Sequence, residues 1–400
     1  MKTTLAVLDE FPFPPRDGVT YPIASHLSRM AKLGPIDLVT TLPAKKIPES
    51  EHPFRSIHSI IQGKQASGPT RLAREVFSAV PYFTRAIPDF SSLDPNIRDG
   101  HYDVLYTSPA WLAGWSKHYP RSWKNIEKQV LCLNDCVTER FVRDLLLARK
   151  NYLAFDKRLR HLLRGSRYPW MGRVERKLLD QFDAVLVQSQ RDLESVVRHC
   201  GESYRTKLFV VPNGIKEHLL SLQYQPPEKP VLMHLGSLFG NRRGLMLWFL
   251  REVFPKVKLR IPEATIRLCG KISDADRSSL GKIDGVEVVG FVDTLEDAFK
   301  GVSVSIAPLL MLTGLINKVT DSMAAGVPCT GMGAFGGIPD FVNGKHGIEC
   351  RSAQHWCDEL VNLLNDRSRL LDISSQARTL VQEHLTWDRS HQTLMQALGA

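Results

Sequence analysis

The sequence has no run of about 18 uninterrupted apolar residues, the length a membrane-spanning helix needs, so no transmembrane segment is expected. It is also poor in usable cysteine pairs. The seven cysteines, at 132, 136, 200, 269, 329, 350 and 357, are odd in number and scattered, and no C-x-x-C pair occurs. That excludes a disulfide scaffold and suits reduced thiols in a cytosol. The opening stretch does not read as a signal peptide, because Asp9 and Glu10 cut its apolar run short. No repeat of fixed short period is present. Acidic residues are in deficit: 42 Asp+Glu against 52 Lys+Arg leave a net charge of +10. A basic surface favours anionic partners such as nucleotides, nucleic acid or membrane headgroups. What remains is ordinary for a globular protein, with 43% apolar and 24% charged residues. A mostly disordered or collagen-like chain is thereby excluded. Four hundred residues exceed the size at which one hydrophobic core stops growing, so two domains are expected.

Short β-rich runs alternate with helical stretches along the first half. Runs at 4–8, 36–40, 103–107, 130–133, 184–188 and 209–211 read as strands, being short, apolar and bounded by turn residues. The segment QYQPPEKP (223–230) is polar, proline-rich and aperiodic, as a linker would be. After it the alternation restarts, with strands predicted at 231–235, 265–269, 286–289 and 302–307. Helices are predicted near 245–257 and from about Leu315. Strands alternating with helices imply parallel sheets covered on both faces, and two such series imply two Rossmann-like lobes. Ligands in such sheets bind where strand carboxyl ends meet helix N-termini. Four loops meet that description: 12–18, which contains Gly18; 236–243; 270–271, which opens on Gly270; and 312–318.

Two of these loops combine glycine with positive charge. In APLLMLTGLINKVTDSMAAGVP (307–328) a strand gives way to Thr313-Gly314 and then to a helix. Gly314 lets the backbone approach a ligand closely. The N–H groups of Gly314, Leu315 and Ile316 are predicted as first-turn donors for an anion. Lys318 adds a full charge, and Asp321 would present a carboxylate to the vicinal hydroxyls of a ribose. In MHLGSLFGNRRG (233–244) the strand ends at Gly236-Ser237, and Arg242 and Arg243 could hold a diphosphate by two-pronged contacts. The bland alternative for both loops is a solvated helix start. Asp274-Ala275-Asp276 has the D-x-D spacing of a metal site, but Ser273-Asp274 reads as a helix N-cap, and no metal is expected.

Together these pieces resemble the retaining glycosyltransferases of family four. The resemblance spans nearly the whole chain. It rests on DEFPFPPRDGVTYPI, SQRDLESV and VVPNGI before the linker and LGSLFGNRRGLMLWFLREVFPKV after it. GFVDTLEDAFKGVSVSIAPL, TGLINKVTDSMAAGVPCTG and Trp387 follow. The Lys-x-x-Asp-x-Met-Ala-Ala-Gly-x-Pro block is the most diagnostic.

The resemblance implies the α/β GT-B fold, two Rossmann-like doubly wound lobes facing a central cleft. The implied boundaries are 1–220 for an acceptor-binding lobe, 221–229 for the linker and 230–380 for a nucleotide-sugar lobe. A terminal helix, 381–400, would return to the first lobe. It further implies a nucleotide-diphosphate sugar as donor substrate, with no cofactor required, and a glycan or lipid-linked acceptor. Asp321 stands where the family has the second glutamate of its E-x7-E pair, and Thr313 where it has the first. Ser237 stands where many members place a phosphate-binding arginine, and Arg242 or Arg243 stands near the family's lysine. Gly18 matches the glycine-rich first loop, and Asn134-Asp135 falls where many members have a His-Asp pair. The implied catalytic set is Asp135, Arg242, Arg243 and Lys318. The implied donor-binding set is Gly18, Gly236, Ser237, Gly270, Thr313, Gly314, Leu315, Ile316 and Asp321. The implied mechanism is metal-independent, front-face substitution with retention, in bacterial polysaccharide or glycolipid assembly. Two rivals share the fold: a sugar-nucleotide epimerase or phosphorylase, and a non-catalytic nucleotide-binding relative.

Between Arg140 and Lys177 there are twelve Lys+Arg against three acids, and twelve minus three is nine of the chain's +10. Leucines, Tyr168 and Trp170 are interleaved with them. That mixture suits an anionic membrane surface, which would place the protein in the cytoplasm, peripheral on the inner face of the cell membrane. A helix pair with its apolar side in the core is the plainer alternative. No recognised nucleic-acid reading module is present, so nucleic acid is not an expected partner.

Overall fold

A computed structural model describes the chain except for residues 16–17, 61–87, 135, 150–154 and 311–312. The chain divides into two compact units. One comprises Met1–Leu145, Arg160–Asn213 and Trp387–Ala400; the other comprises Leu146–Leu159 and Gly214–Thr386.

The first unit is built on a sheet whose described strands are β1 (Thr4–Leu8), β2 (Ile36–Thr40), β3 (Phe54–Ser59), β4 (Val104–Ser108), β5 (Lys128–Asn134), β6 (Ala184–Val187) and β7 (Leu208–Val210). Their order is β3-β2-β1-β4-β5-β6-β7, and neighbours run parallel. β1 shows why the sequence forms this layer. All five of its residues are buried, and successive side chains alternate between faces. Leu5 and Val7 pack in the core that holds Trp115 and Trp123. Ala6 and Leu8 pack on the other side, with Ile23 and Leu27 of the helix Thr20–Met30. Leu394 and Leu398 of the terminal helix Trp387–Leu398 join that same core. Each fully buried leucine contributes about 1.5–3 kcal/mol over an exposed one.

The second unit has β8 (Val231–Leu235), β9 (Thr265–Cys269), β10 (Val286–Gly290), β11 (Val304–Pro308), β12 (Cys329–Met332) and β13 (Ile348–Glu349). They are ordered β10-β9-β8-β11-β12-β13, again parallel. The chain moves outward from β8 through β9 to β10, then returns to place β11 on the other side of β8. That reversal is a topological switch point, where open parallel sheets leave a crevice at their strands' carboxyl ends. Residues 236–240 leave β8 there, and the segment leading to Asn317 leaves β11 beside it.

Two helix starts differ from expectation. The helix after β8 begins at Gly240, not near 245, and ends at Glu252. Its apolar periodicity sets in only at Leu245, so the polar first turn carrying Arg242 and Arg243 is invisible to a hydrophobic pattern. A separate helix, Phe254–Arg260, follows. Pro255 lacks an N–H and would clash with the carbonyl four residues earlier, so one continuous helix cannot form. After β11 the helix begins at Asn317, with Ile316 extended at φ −97° and ψ 93°. Gly314 at φ +73° turns the chain first, and regular helix starts only beyond that turn. The amides of Gly314, Leu315 and Ile316 therefore belong to the approach loop rather than to the first helical turn.

Candidate active site

The site grows from the end of β8. Gly236 sits at φ +141°, a conformation that strains any residue with a Cβ. A Cβ there would lie 3.2 Å from Lys318 Nζ and 3.8 Å from His234 Nε2. Gly236 N donates to Cys269 O at 2.7 Å. Gly270, at φ +136°, packs so closely that its Cβ would fall 2.5 Å from Gly236 O. Glycine at 236 and at 270 is thus what allows the β8 and β9 exits to lie against each other and admits the Lys318 ammonium beside them.

Arg242 and Arg243 occupy adjacent positions in one helical turn, about 100° apart around the axis, and meet different fates. Arg242 Nη1 donates to Ser237 Oγ at 3.2 Å. Arg243 grips Asp276 with a fork: Nε donates to Oδ1 and Oδ2 at 2.9 and 2.8 Å, and Nη2 donates to Oδ1 at 2.6 Å. Asp276 also receives the Ser273 hydroxyl at 2.9 Å, and Ser273 caps the helix Asp274–Leu280. The Arg243 guanidinium holds the Asp276 carboxyl below its usual range. The second acid of the D-x-D spacing is therefore the counter-ion of Arg243.

Neither Arg242 nor Lys318 has a carboxylate partner among the described residues, and the two repel each other. Burial first, and Arg242 second, push the Lys318 ammonium down to about 7. His234, on β8, is buried, and burial followed by Lys318 pushes its imidazole well below the ordinary range. Its Nδ1 lies 3.4 Å from Ile306 O. Its Nε2 is buried without a hydrogen-bond partner among the described residues. Two uncompensated cations and a dipolar imidazole thus converge on the switch-point glycine. Such a place suits an anion with several oxygens.

The loop after β11 is backed by a second loop. Thr313 and Leu315 are buried. A Cβ on Gly337 would meet Gly314 O at 2.3 Å, so residues 336–337 lie directly against the Gly314 backbone. Glu349, on β13, steadies that second loop: its carboxylate accepts from the amides of Gly333 and Ala334. Farther along the helix Asn317–Ala324, Asp321 is buried. Its Oδ2 accepts from Lys216 Nζ at 2.7 Å. Burial raises the Asp321 carboxyl, and Lys216 opposes that rise.

The second unit thus brings together Gly236, Ser237, Arg242, Gly270 and Lys318, with Thr313, Gly314, Leu315 and Ile316 on the neighbouring loop and Asp321 deeper on the Lys318 helix. Arg243 lies in the same turn but is turned to Asp276. Gly18 is exposed in the first unit, just before the helix Thr20–Met30. Asp135 lies outside the described residues; its neighbour Asn134 ends β5 at φ +66° and accepts from Cys132 Sγ at 3.2 Å. Lys216 and Glu349 carry no sequence signal. Each is an isolated charge outside any motif, and only the fold sets it against its partner. Among the described residues no group of three His, Cys, Asp or Glu side chains is arranged to hold a metal ion.

Residues 229–366 match the sequence family described as "Glycosyl transferases group 1". No curated protein matches the chain. Solved structures match over its full length. Sucrose-phosphate synthase from Thermosynechococcus elongatus superposes with a TM-score of 0.69 at 16% identity, covering 99% of this chain and 98% of that one. Anabaena HepE in complex with UDP gives 0.66 at 14% identity, with 100% of both chains covered. WaaG, a glycosyltransferase involved in lipopolysaccharide biosynthesis, gives 0.63 at 11% identity, again over 100% of both. The fold is that of GT-B glycosyltransferase structures: two parallel, Rossmann-like sheets clothed in helices.

Proposed function

We propose that the chain is a retaining glycosyltransferase that moves a sugar from a nucleoside-diphosphate sugar to a hydroxyl of a glycan or lipid-linked acceptor, in polysaccharide or glycolipid assembly. One observation carries this reading: Arg242 and Lys318 sit at the switch point beside Gly236 with no carboxylate among the described residues to neutralise them. The family match of the same region and the UDP held by HepE support it.

In the proposed reaction the bond between the sugar's anomeric carbon and the β-phosphate oxygen breaks, and its electron pair leaves with the diphosphate. The acceptor oxygen bonds to the same face of that carbon, and its proton passes to an oxygen of the departing phosphate. Negative charge grows on the diphosphate as the bond breaks. Fixed cations aimed at that charge stabilise the transition state more than the ground state. Arg242 and Lys318 fill this role. Gly236, Ser237 and Gly270 shape the phosphate seat, and the backbone of residues 313–316 lies along the donor. Asp321 accepts from ribose hydroxyls. Gly18 is assigned to the donor and Asp135 to the acceptor.

The test is turnover of a panel of nucleoside-diphosphate sugars, with EDTA present to show that no metal is needed. Arg242→Ala and Lys318→Ala should each lower kcat by about a hundredfold, the usual cost of losing one such group. Arg243→Ala should act mainly on stability, by about 1 kcal/mol, since it breaks a partly exposed pair. If both Arg242→Ala and Lys318→Ala turn over like the wild type, the catalytic reading is wrong. Product analysis with donor alone separates transfer from epimerisation, and added phosphate reveals a phosphorylase.

The same reading places the protein in the cytoplasm, peripheral on the inner face of the membrane, where a lipid-linked acceptor would be met. Its support lies in the basic segment. The helices Phe155–Gly165 and Tyr168–Leu179 expose Leu162, Leu163, Tyr168 and Trp170, the last at 60%. Arg164, Arg167, Arg173, Arg176 and Lys177 lie among them. Among the described residues no helix is long and apolar enough to cross a membrane.

A further inference from the structure

Lys216 follows the Pro212-Asn213-Gly214 turn by two residues and belongs to none of the phosphate loops. Its backbone is firmly held. Ile215, beside it, donates its N–H to Leu385 O at 2.7 Å and is buried in the core with Leu219 and Val319. From that anchor Lys216 Nζ reaches Asp321 Oδ2 at 2.7 Å. The two side chains are only 21% and 9% exposed, so the pair is largely shielded from water. Nothing among the described residues hydrogen-bonds Asp321 Oδ1. Lys318 and Asp321 stand three residues apart on one helix, so they share a face. Asp321 therefore has one oxygen taken and the other unclaimed, on the side of the helix that bears the phosphate-seat lysine.

A buried carboxyl left alone takes a proton and becomes in part a donor. Lys216 works against that; His218, whose Nε2 lies 3.5 Å from Glu296 Oε1, adds a weaker push in the same direction. A ribose offers two vicinal hydroxyls that both donate, so it needs an ionised, oriented acceptor.

We propose that Lys216 is a positioning residue for the donor: it pins Asp321 Oδ2 so that Oδ1 is presented as an acceptor to the paired hydroxyls of a ribose, and it thereby sets preference for ribonucleotides over their 2′-deoxy counterparts. This rests on the donor-binding reading above. Lys216 touches neither sugar nor phosphate; it acts through Asp321.

The experiment is calorimetric titration of UDP, GDP, ADP and their 2′-deoxy forms into the full chain at pH 5.5, 7.0 and 8.5. Wild type, Lys216→Met, Lys216→Arg and the double variant Lys216→Met/Asp321→Asn are compared. The wild type should bind its preferred ribonucleotide about tenfold more tightly than the deoxy form, the value of roughly one charge-assisted hydrogen bond. Lys216→Met should lose about that factor for the ribonucleotide alone and recover part of it as pH rises, because its Asp321 then ionises only at higher pH. Lys216→Arg should behave as wild type. If Lys216→Met fails to fold, the double variant, which leaves no unpaired buried charge, should fold and bind both forms equally. Ribose preference retained in either variant, or tighter binding by Lys216→Met, overturns the proposal while leaving the donor site standing. A wild type that binds no nucleoside diphosphate overturns the donor site itself.

Discussion

Lys318 is the residue whose charge is most at stake. Burial and the nearby Arg242 hold its ammonium near 7, so above that pH it is mostly neutral. A bound diphosphate would restore the proton, because an adjacent anion favours the charged form. Binding should therefore take up a proton, and affinity should fall as pH rises above about 7, by at most about tenfold per pH unit. Below about 7 the lysine is already charged and this dependence disappears. Calorimetry at pH 8 in two buffers of different ionisation heat measures the uptake directly. It should vanish in Lys318→Met, whose affinity should also lose that slope. Equal uptake in the variant and the wild type would mean that Lys318 does not face the diphosphate. The neighbouring arginines make a related point. Arg242 and Arg243 are equivalent in composition and motif, yet Asp276 claims only Arg243.

At the scale of elements, the proposed seat depends on two loops packed backbone to backbone. The loop after β12 carries Gly337 against Gly314 O. It is held from behind by Glu349 and by Phe335 stacked on Phe341, with ring centroids 4.4 Å apart. Gly337→Ala places a methyl 2.3 Å from the Gly314 carbonyl oxygen, an overlap that only a shift of one loop relieves. Overpacking of this kind costs about 1–3 kcal/mol. If the approach loop yields rather than the core, the cost appears as weaker binding. Gly337→Ala should bind nucleoside diphosphate about tenfold more weakly while melting within a few degrees of wild type. Unchanged affinity, measured by titration, would show that residues 313–316 take no part in holding the donor.

For the whole molecule, the proposed membrane location rests on the basic segment. Aromatic and aliphatic side chains set among arginines bind anionic interfaces through both burial and charge. The chain should float with vesicles containing anionic lipid at low salt, and detach at high salt as the charge attraction is screened. The double variant Leu163→Ser/Trp170→Ser should lose flotation yet keep turnover of a water-soluble donor, since both side chains are solvent-exposed in the free protein. Absence of flotation at low salt would end the membrane assignment.

The alternation of apolar runs with helical stretches determined the two-sheet α/β architecture, because burial on both faces of a parallel strand demands continuous apolar runs such as TLAVL and VLMHL. Glycine followed by positive charge at strand ends marked the proposed phosphate seat, because such positions leave backbone and side-chain donors facing outward. Helix starts were less legible: the turn holding Arg242 is polar, and a hydrophobic period has nothing to register there. Three matters were left to the tertiary structure. It decided that Asp276 binds Arg243 and not Arg242, that Lys216 reaches Asp321 across 105 residues of chain, and that Glu349 braces the loop behind Gly314. Each joins residues far apart in sequence, and the partners of a charge depend on which surfaces the fold brings within about 3 Å, a distance no local pattern encodes.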